Sequence, residues 1–329
     1  MPIPQLYEKL PVDPSPVQNL LTQGIVYELT ALAAKEGLFT ALAVRKTAAG
    51  LARELAWDET ITERVLQVLA QAGYLTCVGG AYTAVPAMAK YLHRNSPWFL
   101  ADSLLSEFPA GSFAHRVLAA LNNETVTPCC HKKAQNQPER LRGIGARAVT
   151  GEFVQTTVQA VSLDRKKHLL DLGGGHGFYS IAFAQKYPGL TVTLFDVPDI
   201  AALAAAAIAN YGLSGRVQTR AGDFLATDIG SGYDAVLCSL MLSPSTLATV
   251  LPKVYSAVLP GGTLIVRTHI KDGFPSLAGS INRLFCTLNG QRTMYTLTEW
   301  QTWLAEYGFS NIQTANITDI VAVLTATRP

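Results

Sequence analysis

The feature of this chain that most constrains its fold is a short apolar strand that carries an acid and then breaks into closely spaced glycines. Residues 169–177 have the sequence LLDLGGGHG, and a helical stretch (179–186), a second apolar strand (191–195) and Asp196 follow. A doubly wound parallel sheet binds nucleosides through this succession of strand, glycine turn, helix, strand and carboxylate. The sequence therefore predicts an α/β fold with a nucleoside site at the carboxyl edge of its sheet, where Asp196 accepts from the ribose hydroxyls.

The spacing of the glycines narrows the choice of nucleoside. A dinucleotide-binding turn has the pattern G-x-G-x-x-G, whose last glycine packs closely under a pyrophosphate, but Phe178 occupies that sixth position here. The pattern G-x-G-x-G, preceded by Asp171, instead suits S-adenosylmethionine (SAM), which has an ammonium group and no diphosphate. A strand-to-helix turn without a ligand is the alternative, and the acid at position 196 argues against it.

Later strands extend the predicted cofactor site. Asp223 follows the strand-like residues 216–220 and is placed to accept from an adenine amino group, although a Gly-Asp pair taken alone is more often a turn. The strand 233–239 ends where it would pass the methionine moiety. We predict that the cofactor is bound by Asp171, Gly173, Gly174, Gly175, Gly177, Asp196, Val197, Asp223, Phe224, Cys238 and Ser239.

Together these segments resemble class I SAM-dependent methyltransferases, and the sequence LPGG at 259–262, a turn before a fifth strand, adds to the resemblance. Residues 289–293 (NGQRT), 299–300 and 304–309 are similar to the small-molecule O-methyltransferases, which include plant caffeate-type, bacterial polyketide-tailoring and bacteriochlorophyll enzymes. The resemblance covers nearly the whole chain. It implies a Rossmann-like, doubly wound, seven-stranded sheet preceded by an α-helical winged-helix domain. It also implies methyl transfer from SAM to a small, largely apolar metabolite, with a hydroxyl as the commonest acceptor.

The amino-terminal third predicts short helices followed by a β-hairpin. Apolar residues recur at helical spacing between 20 and 38, a second helix covers 47–55, and the capping-box pair Thr60 and Glu63 opens a third helix. A hairpin is predicted over 74–84, around a Gly-Gly turn. Helices followed by such a wing resemble a winged-helix domain.

A winged helix raises the question of DNA binding, which the charge of the third helix answers. Residues 60–73 contain one basic residue, Arg64, and one acid, Glu63, whereas a DNA-binding helix needs several cations along one face. The net charge of the chain is only +2, so we expect no nucleic-acid partner. The resemblance implies instead a homodimer formed through this domain, and a SAM-sensing DNA regulator is the alternative. The predicted dimer contacts are Leu21, Ile25 and Leu29.

The length of 329 residues fits one catalytic domain and a smaller one. We predict a winged-helix-like dimerisation domain over 1–98, a helical linker and lid over 99–160, and a SAM-binding Rossmann-like catalytic domain over 161–329. No apolar run reaches the roughly 18 residues of a membrane span, and the first residues lack a signal-peptide pattern. These features predict a cytoplasmic protein without a membrane span.

The five cysteines have neither the spacing of metal ligands nor that of a disulfide framework, so no metal is expected. Cys129, Cys130 and His131 form a cluster that could bind a metal or act in redox chemistry. Adjacent cysteines cannot easily chelate one tetrahedral ion. A loop with reduced thiols is therefore favoured, and the role of the cluster stays open.

The predicted catalytic positions differ from those of the family. Plant-type members use a histidine as general base toward a phenol, with two glutamates that orient it. Matched residue by residue, the resemblance places Ser243 at the histidine position, and Thr268 and Gln291 at the glutamate positions. A family lysine near the methionine carboxylate corresponds to Ser239. Neutral groups thus replace ionisable ones, and a serine without a histidine partner is too weak a base to deprotonate a phenol.

Two mechanisms are consistent with this replacement. His269, beside one of the glutamate positions, is a candidate for a relocated base, or it is a strand-end histidine bonded to backbone. Alternatively no base is needed, because an acceptor held in line about 3–3.5 Å from the methyl group gains much of the rate by proximity. Transfer to carbon, nitrogen or sulfur stays open, as does hydroxylation, decarboxylation or cyclisation on the same scaffold.

The acceptor pocket is predicted only in outline. A helix over 144–161 leads into the first strand of the sheet, and the family resemblance implies that it lines both pockets. The candidate pocket residues are Phe153, Met241, Leu284, Phe285, Leu288 and Asn289. Their mostly apolar character predicts that the acceptor molecule has an apolar surface but does not identify that molecule.

Overall fold

The structure is a computed structural model of the chain. It describes residues 5–9, 12–96, 99–100, 112–124, 141, 144–146, 148–149, 153–271, 276–288, 295–317 and 321–329. The chain forms two compact units. The sheet unit comprises Met1–Pro14, Ala134–Gly273 and Tyr295–Pro329, and the helical unit comprises Ser15–Lys133 and Phe274–Met294.

Helices dominate the first half of the chain, and strands alternate with helices in the second. In chain order the described elements are α1 (Ser15–Lys35), α2 (Leu38–Ala41), β1 (Lys46–Thr47), α3 (Ala48–Leu55), α4 (Glu59–Gln71), β2 (Leu75–Val78), β3 (Ala81–Ala84), α5 (Pro86–Tyr91), α6 (Phe113–Leu121), α7 (Phe153–Ala160), β4 (His168–Leu172), α8 (Phe178–Lys186), β5 (Thr191–Asp196), α9 (Pro198–Asn210), β6 (Val217–Ala221), β7 (Tyr233–Ser239), α10 (Pro244–Ala257), β8 (Val258–His269), α11 (Leu277–Leu288), α12 (Leu297–Glu306), β9 (Ser310–Ile317) and β10 (Val321–Thr327). In the part of the chain that the structure describes, no helix has both the length and the apolar run that a bilayer crossing requires.

The helical unit is built around α4, whose apolar residues recur on one face. Val65, Leu66 and Leu69 are buried in a common core with residues of α1, α3, α6 and α11. The helix begins after Asp58, whose carboxylate accepts from the Ile61 amide at 2.9 Å. The predicted capping box is therefore wrong. Thr60, the predicted cap, lies inside the first turn of α4, because the carboxylate of Asp58 two residues earlier already accepts from the free Ile61 amide.

The predicted β-hairpin is confirmed. β2 and β3 pair antiparallel with Val78 opposite Ala81, and the two glycines between them have positive φ. β1 adds a third strand beside β3. Thr47, predicted as the first residue of a helix, lies in this strand instead, and its hydroxyl caps α3 by accepting from the Gly50 amide at 3.2 Å.

Two features of the helical unit differ from the sequence predictions. Leu29, a predicted dimer contact, is fully buried in the core of its own unit, whereas Leu21 is exposed and Ile25 is half-buried. α11, predicted to lie in the catalytic domain, packs against α4 and places Leu284 and Leu288 in the same core. Periodicity could not reveal this packing because the two helices are far apart in the chain.

The sheet unit contains a seven-stranded sheet in the order β6-β5-β4-β7-β8-β10-β9. β4 to β8 are parallel, and β10 pairs antiparallel with β8 and β9. The predicted doubly wound seven-stranded sheet is confirmed. The strand order reverses between β4 and β7, and open α/β sheets bind ligands in the crevice at such a switch point.

Helices cover both faces of this sheet. α7, α8 and α9 contribute Val158, Ile181 and Ile208 to the core on one face. α10 and α12 contribute Val254 and Leu304 to the core on the other face. The sheet is thus enclosed between two helical layers, and the ends of its strands are left to form a site.

β8 is longer than predicted. The LPGG sequence at 259–262, expected as a turn before the strand, lies inside it. The strand accommodates these residues by a shift of its register against β7, between Tyr233 and Ala235. A β-bulge of this kind keeps the pairing on both sides of the extra residues.

Candidate functional site

The carboxyl ends of β4 and β5 lie side by side at the switch point. Leu172, the last residue of β4, pairs with Phe195, and Asp196 is the last residue of β5. The turn between β4 and α8 has positive φ at Gly173 and Gly175, a conformation that glycine adopts readily. The motif thus forms the turn at the sheet edge that the sequence predicts.

Close packing explains a third glycine of this turn. A Cβ on Gly174 would lie 2.5 Å from Cγ of Leu194 in β5, so a larger residue fits only if the Leu194 side chain or its strand moves. Gly177 is the last residue before α8. All four predicted glycines therefore belong to one turn between the sheet and the amino-terminal end of α8.

Asp196 holds the glycine turn in place. Its Oδ2 accepts from the Gly175 amide at 2.9 Å, and its Oδ1 accepts from the Val197 amide at 2.8 Å. The carboxylate is half-buried, and burial raises its pKa although the two amides act in the opposite direction. Because a carboxylate offers about four lone-pair sites, two remain for a ligand. Val197 itself is exposed.

Asp171 lies below the turn and has no exposed surface. Its Oδ2 accepts from the Ser180 hydroxyl at 2.6 Å, and its Oδ1 has no partner among the described residues. Burial raises the pKa of this carboxyl to about 7, and the charge of Asp196 adds to the increase. Asp171 is therefore only partly ionised at neutral pH, and a ligand on the turn meets glycine backbone before it meets this acid.

β6 brings a third acid to the same edge. Asp223 is exposed shortly after the end of β6, and its Oδ1 accepts from the Leu225 amide at 2.9 Å. The preceding Gly222 donates its amide to the backbone oxygen of Asp196 at 2.9 Å, which ties this loop to β5. Phe224 is half-buried against the core. The structure therefore brings Asp196 and Asp223 to one edge.

β7 ends beside the end of β4. Cys238 pairs with Leu172 and is fully buried, and burial raises the pKa of its thiol. Its side chain belongs to the core, so only its backbone can line a ligand. Ser239, the last residue of β7, is half-buried and pairs with Arg267 of β8.

Ser243 caps α10, which gives its hydroxyl a structural role. The hydroxyl lies 2.9 Å from the Ser245 hydroxyl and 3.2 Å from the Thr246 hydroxyl, and the Ser243 amide donates to the Thr246 hydroxyl at 3.0 Å. Within the described ranges, no histidine or carboxylate forms a hydrogen bond with Ser243. It therefore lacks the partner that turns a hydroxyl into a base.

Thr268 and His269 point to opposite faces of β8, because side chains alternate along a strand. Thr268 is buried, and its hydroxyl donates to the backbone oxygen of His269 at 3.4 Å. His269 is half-buried and pairs with Val321 of β10. Alternation thus separates the side chains of these two predicted catalytic residues.

The predicted pocket residues of the sheet unit lie close to the glycine turn and to α7. Met241 covers the turn, since its Cβ lies 3.0 Å from the position that a Cβ on Gly173 would take. Phe153 is the first residue of α7 and is half-buried. Met241 therefore lies at the glycine turn predicted to bind the cofactor, and Phe153 lies on the helix predicted to line both pockets.

The predicted pocket residues of the helical unit are packed among other apolar side chains. Leu284 and Leu288 are buried in its core, and the Phe285 ring centre lies 4.4 Å from that of Phe113. This packing accounts for their apolar character without a ligand. Some predictions fall outside the described residues: the catalytic candidate Gln291, the pocket candidate Asn289, and the cluster of Cys129, Cys130 and His131.

A cluster around Arg267 is a feature that the sequence interpretation missed. The guanidinium lies 5.3 Å from the ring centre of Phe153 and 5.6 Å from that of Tyr179. The His176 ring stacks on Tyr179 with 5.8 Å between centres. Burial and the positive charge of Arg267 lower the pKa of His176 to about 4, so His176 is neutral at pH 7. A basic residue inside the mostly apolar strand sequence LIVRTH was the available signal.

Comparisons with known proteins agree with this architecture. The model of the O-methyltransferase domain family matches residues 140–310. Over 316 residues, the chain is 29% identical to the 3-hydroxy-5-methyl-1-naphthoate 3-O-methyltransferase of Streptomyces sahachiroi, which covers 89% of this chain and 89% of that protein. It is 27% identical over 241 residues to the N,N-dimethyltransferase OxyT of Streptomyces rimosus, which covers 70% of this chain and 67% of that protein.

Solved structures share the fold. An O-methyltransferase family 2 protein from Planctomyces limnophilus, in complex with apigenin, has a TM-score of 0.68 at 19% identity and covers 100% of both chains. Human N-acetylserotonin methyltransferase, in complex with SAM, has a TM-score of 0.55 at 19% identity and covers 98% of this chain and 99% of that chain. At these identities the likeness establishes the fold and nothing finer.

Proposed function

Because this chain belongs to the family of O-methyltransferase domains and is a SAM-dependent methyltransferase, we propose that it methylates a hydroxyl group of a small, largely apolar metabolite. The observation that carries this proposal is the glycine turn held by Asp196 at the switch point of the sheet. The similar 3-O-methyltransferase from Streptomyces sahachiroi, named for a hydroxynaphthoate, supports a hydroxyl acceptor.

The residues at this edge fit SAM. The carboxylate of Asp196 has lone pairs left for two ribose hydroxyls after its bonds to backbone amides. Asp171 is buried beneath the turn, with one oxygen that has no partner in the described part of the chain, and we assign it to the support of the turn at the methionine end. We assign the adenosine to Asp196, Asp223 and Phe224, and the methionine end to the glycine turn and the backbone of Cys238 and Ser239.

The chain contributes orientation rather than a strong base. SAM supplies a methyl group bonded to a sulfonium, which is a good leaving group. The acceptor atom forms its bond to the methyl carbon while the sulfur–carbon bond breaks, and the acceptor proton passes to water. Ser243 does not remove that proton, because its hydroxyl is engaged with Ser245 and Thr246. We propose that Met241, above the turn, and Phe153 hold the acceptor in line with the methyl group.

A nitrogen acceptor is the second candidate. It is favoured by the similarity to OxyT, whose name is that of an N,N-dimethyltransferase. A neutral amine carries a lone pair and can attack before it loses a proton, which suits the absence of a general base at Ser243. The two candidates therefore differ in whether the acceptor must be ionised before transfer.

We also propose that the protein is a homodimer through its helical unit, with winged-helix character and a cytoplasmic location as further predictions. α1 exposes the apolar residues Val17, Leu20, Leu21 and Tyr27. Exposed apolar patches of this kind mark protein–protein interfaces. Leu21→Glu should therefore give monomers in sedimentation velocity, while Lys35→Glu on the same helix serves as the control. A monomeric wild-type protein at micromolar concentration would contradict the dimer.

Methyl transfer from trideuteromethyl-SAM tests the acceptor. The protein is incubated with pairs of aromatic compounds that differ only in carrying a hydroxyl or an amino group, and products are identified by mass spectrometry. We expect labelled methyl ethers together with an equal amount of S-adenosylhomocysteine. Labelled methylamines alone would replace the first candidate by the second, and labelled products on neither group would contradict both.

A further inference from the structure

Arg267 is a buried cation that has no anionic partner among the residues that the structure describes. It is 5% exposed, and no carboxylate or other hydrogen-bond acceptor pairs with its guanidinium in the part of the chain that the structure describes. Burial also lowers its pKa. A charge removed from water is costly unless an opposite charge or a set of acceptors compensates it. The position therefore calls for an anion.

Aromatic rings surround the guanidinium but do not satisfy its donors. Phe153 of α7 and Tyr179 of α8 lie at 5.3 and 5.6 Å, which is the range of favourable cation–π contacts. Ring faces stabilise the charge, but in the described ranges the N–H groups on the edge of the guanidinium have no oxygen partner. These N–H groups form a planar fork that matches a carboxylate.

A second buried donor lies beside Arg267. Tyr179 is 5% exposed, and its hydroxyl has no hydrogen bond of good geometry among the described residues, although the hydroxyls of Ser239 and Thr157 lie close to it. Buried polar groups in proteins nearly always have partners. Two neighbouring donors without a well-placed acceptor among the described residues thus indicate that an acceptor arrives with a ligand.

The cluster lies where β7, β8 and the glycine turn meet. Arg267 pairs in register with Ser239, the last residue of β7, and its backbone oxygen accepts from the Leu240 amide at 2.8 Å. Tyr179 is in the first turn of α8, and His176, whose ring stacks on it, belongs to the glycine turn. The proposed function places the methionine end of the cofactor at this position.

We propose that Arg267, together with the Tyr179 hydroxyl, binds a carboxylate during the reaction. This inference rests on the proposed function, which brings two carboxylates into consideration: that of the SAM methionine and one on the acceptor. The register with Ser239 favours the cofactor, because the proposed function places the methionine end at the backbone of Cys238 and Ser239. Arg267 would then supply the positive charge for that carboxylate from the neighbouring strand.

Paired ligands test this inference. Isothermal titration calorimetry gives the affinities of S-adenosylhomocysteine and of its decarboxylated analogue, which lacks only the carboxylate, for the wild type and for Arg267→Met. We expect the wild type to prefer S-adenosylhomocysteine by about 10- to 100-fold, the effect of charge-assisted hydrogen bonds. Arg267→Met should abolish this preference by weakening the binding of S-adenosylhomocysteine alone.

Two further variants separate binding from folding. Arg267→Lys retains the charge without the planar fork and should keep part of the preference. Tyr179→Phe removes only the hydroxyl and should reduce the preference less than Arg267→Met does. Circular-dichroism melts establish which variants fold. If Arg267→Met does not fold, the preference of the wild type and of the two conservative variants decides the question.

Kinetic measurements with the methyl acceptor test whether the carboxylate bound by Arg267 belongs to the acceptor rather than to SAM. An unchanged affinity for S-adenosylhomocysteine, with KM raised about tenfold for a carboxylated acceptor but not for its methyl ester, would assign the Arg267 site to the acceptor. Equal effects on ligands with and without the carboxylate in both experiments would overturn the inference. A wild-type protein that binds no S-adenosylhomocysteine would overturn the proposed function itself.

Discussion

The carboxyl edge of the sheet has a different character on the two sides of its switch point. On the side of β4 and β5, Asp196 holds the turn through backbone, since it accepts from the amides of Gly175 and Val197. The buried Asp171 instead bonds to a side chain, that of Ser180. On the side of β7 and β8, Ser243 and Arg267 interact with other side chains, and the Thr268 hydroxyl donates to backbone. Ser243 lies in a group of hydroxyls, and Arg267 lies between aromatic rings.

This difference separates the part of the site that the fold determines from the part that individual side chains determine. Bonds to backbone follow from the strand order and the glycine turn, so they suit the constant task of binding a cofactor. Contacts between side chains change with single substitutions, so they suit the choice of acceptor and the handling of its proton. We therefore expect features shared by the family on the β4 and β5 side, and features specific to this enzyme on the β7 and β8 side.

Removal of Asp196 should have the largest effect on the β5 side. Asp196→Ala loses two bonds to the turn and the acceptors for the ribose, so cofactor binding should weaken by about 1.5–3 kcal/mol. Calorimetric titration with S-adenosylhomocysteine measures this change. Asp199→Ala, an exposed acid in the first turn of α9, is the matched control and should bind normally. An unchanged Kd for Asp196→Ala would exclude the ribose role.

Gly174→Ala should destabilise the same side by overpacking. The added Cβ would lie 2.5 Å from Cγ of Leu194 and 3.1 Å from Cγ of Asp171, and such overpacking lowers the free energy of unfolding by about 1–3 kcal/mol. Urea unfolding measures the loss. Gly215→Ala, whose Cβ meets open space, is the control. Equal stability of the two variants would show that the turn does not need this close packing.

Asp171 should make the stability of the protein fall as the pH rises. Burial raises its folded pKa to about 7, above the unfolded value, so the native state holds this proton more tightly. The resulting stability is complete below the unfolded pKa and is lost as the pH rises from about 4 through 7, by at most about 1.4 kcal/mol per pH unit. Asp171→Asn keeps the shape without titrating.

Urea unfolding midpoints of the wild type and of Asp171→Asn, measured across this pH range, check the effect. The wild type should lose stability relative to Asp171→Asn as the pH rises, and the difference should become constant above the folded pKa. Parallel curves would mean that Asp171 does not change its protonation in this window.

Substitution of the two candidate bases on the β8 side, Ser243 and His269, should have the smallest effect on the reaction rate. Ser243→Ala should lower stability by about 1 kcal/mol through the lost helix cap and leave kcat unchanged. His269→Gln should leave both kcat and its pH profile unchanged, because we propose that orientation rather than a base carries the reaction. A general base would contribute about 10²–10⁴-fold to the rate, so a loss of that size in His269→Gln would establish it as the base.

Sequence reasoning succeeded where a feature depends on a short stretch of chain. The glycine turn, the hairpin and the strand that ends at Asp196 each follow from neighbouring residues. It failed by two residues at α4, because Asp58 and Thr60 are both good caps and only backbone geometry decides between them. The seven-stranded sheet was predicted from the family resemblance, since its strand order is not a local property.

Features that join distant segments could not be predicted. α11 packs into the core of the helical unit, far from its neighbours in sequence. Leu29 has the spacing of a surface contact but is buried by other helices of its unit. Arg267 looks like an isolated charge in a strand, and its significance depends on α7 and α8 bringing Phe153 and Tyr179 beside it.

A crystal structure of the protein with S-adenosylhomocysteine examines the role of the sheet edge most directly. The adenosine should lie across the carboxyl ends of β4 and β5, with the Asp196 carboxylate about 2.6–3.2 Å from both ribose hydroxyls. A nucleoside bound elsewhere, or an Asp196 that still contacts only backbone amides while the ligand is present, would contradict methyl transfer at this edge.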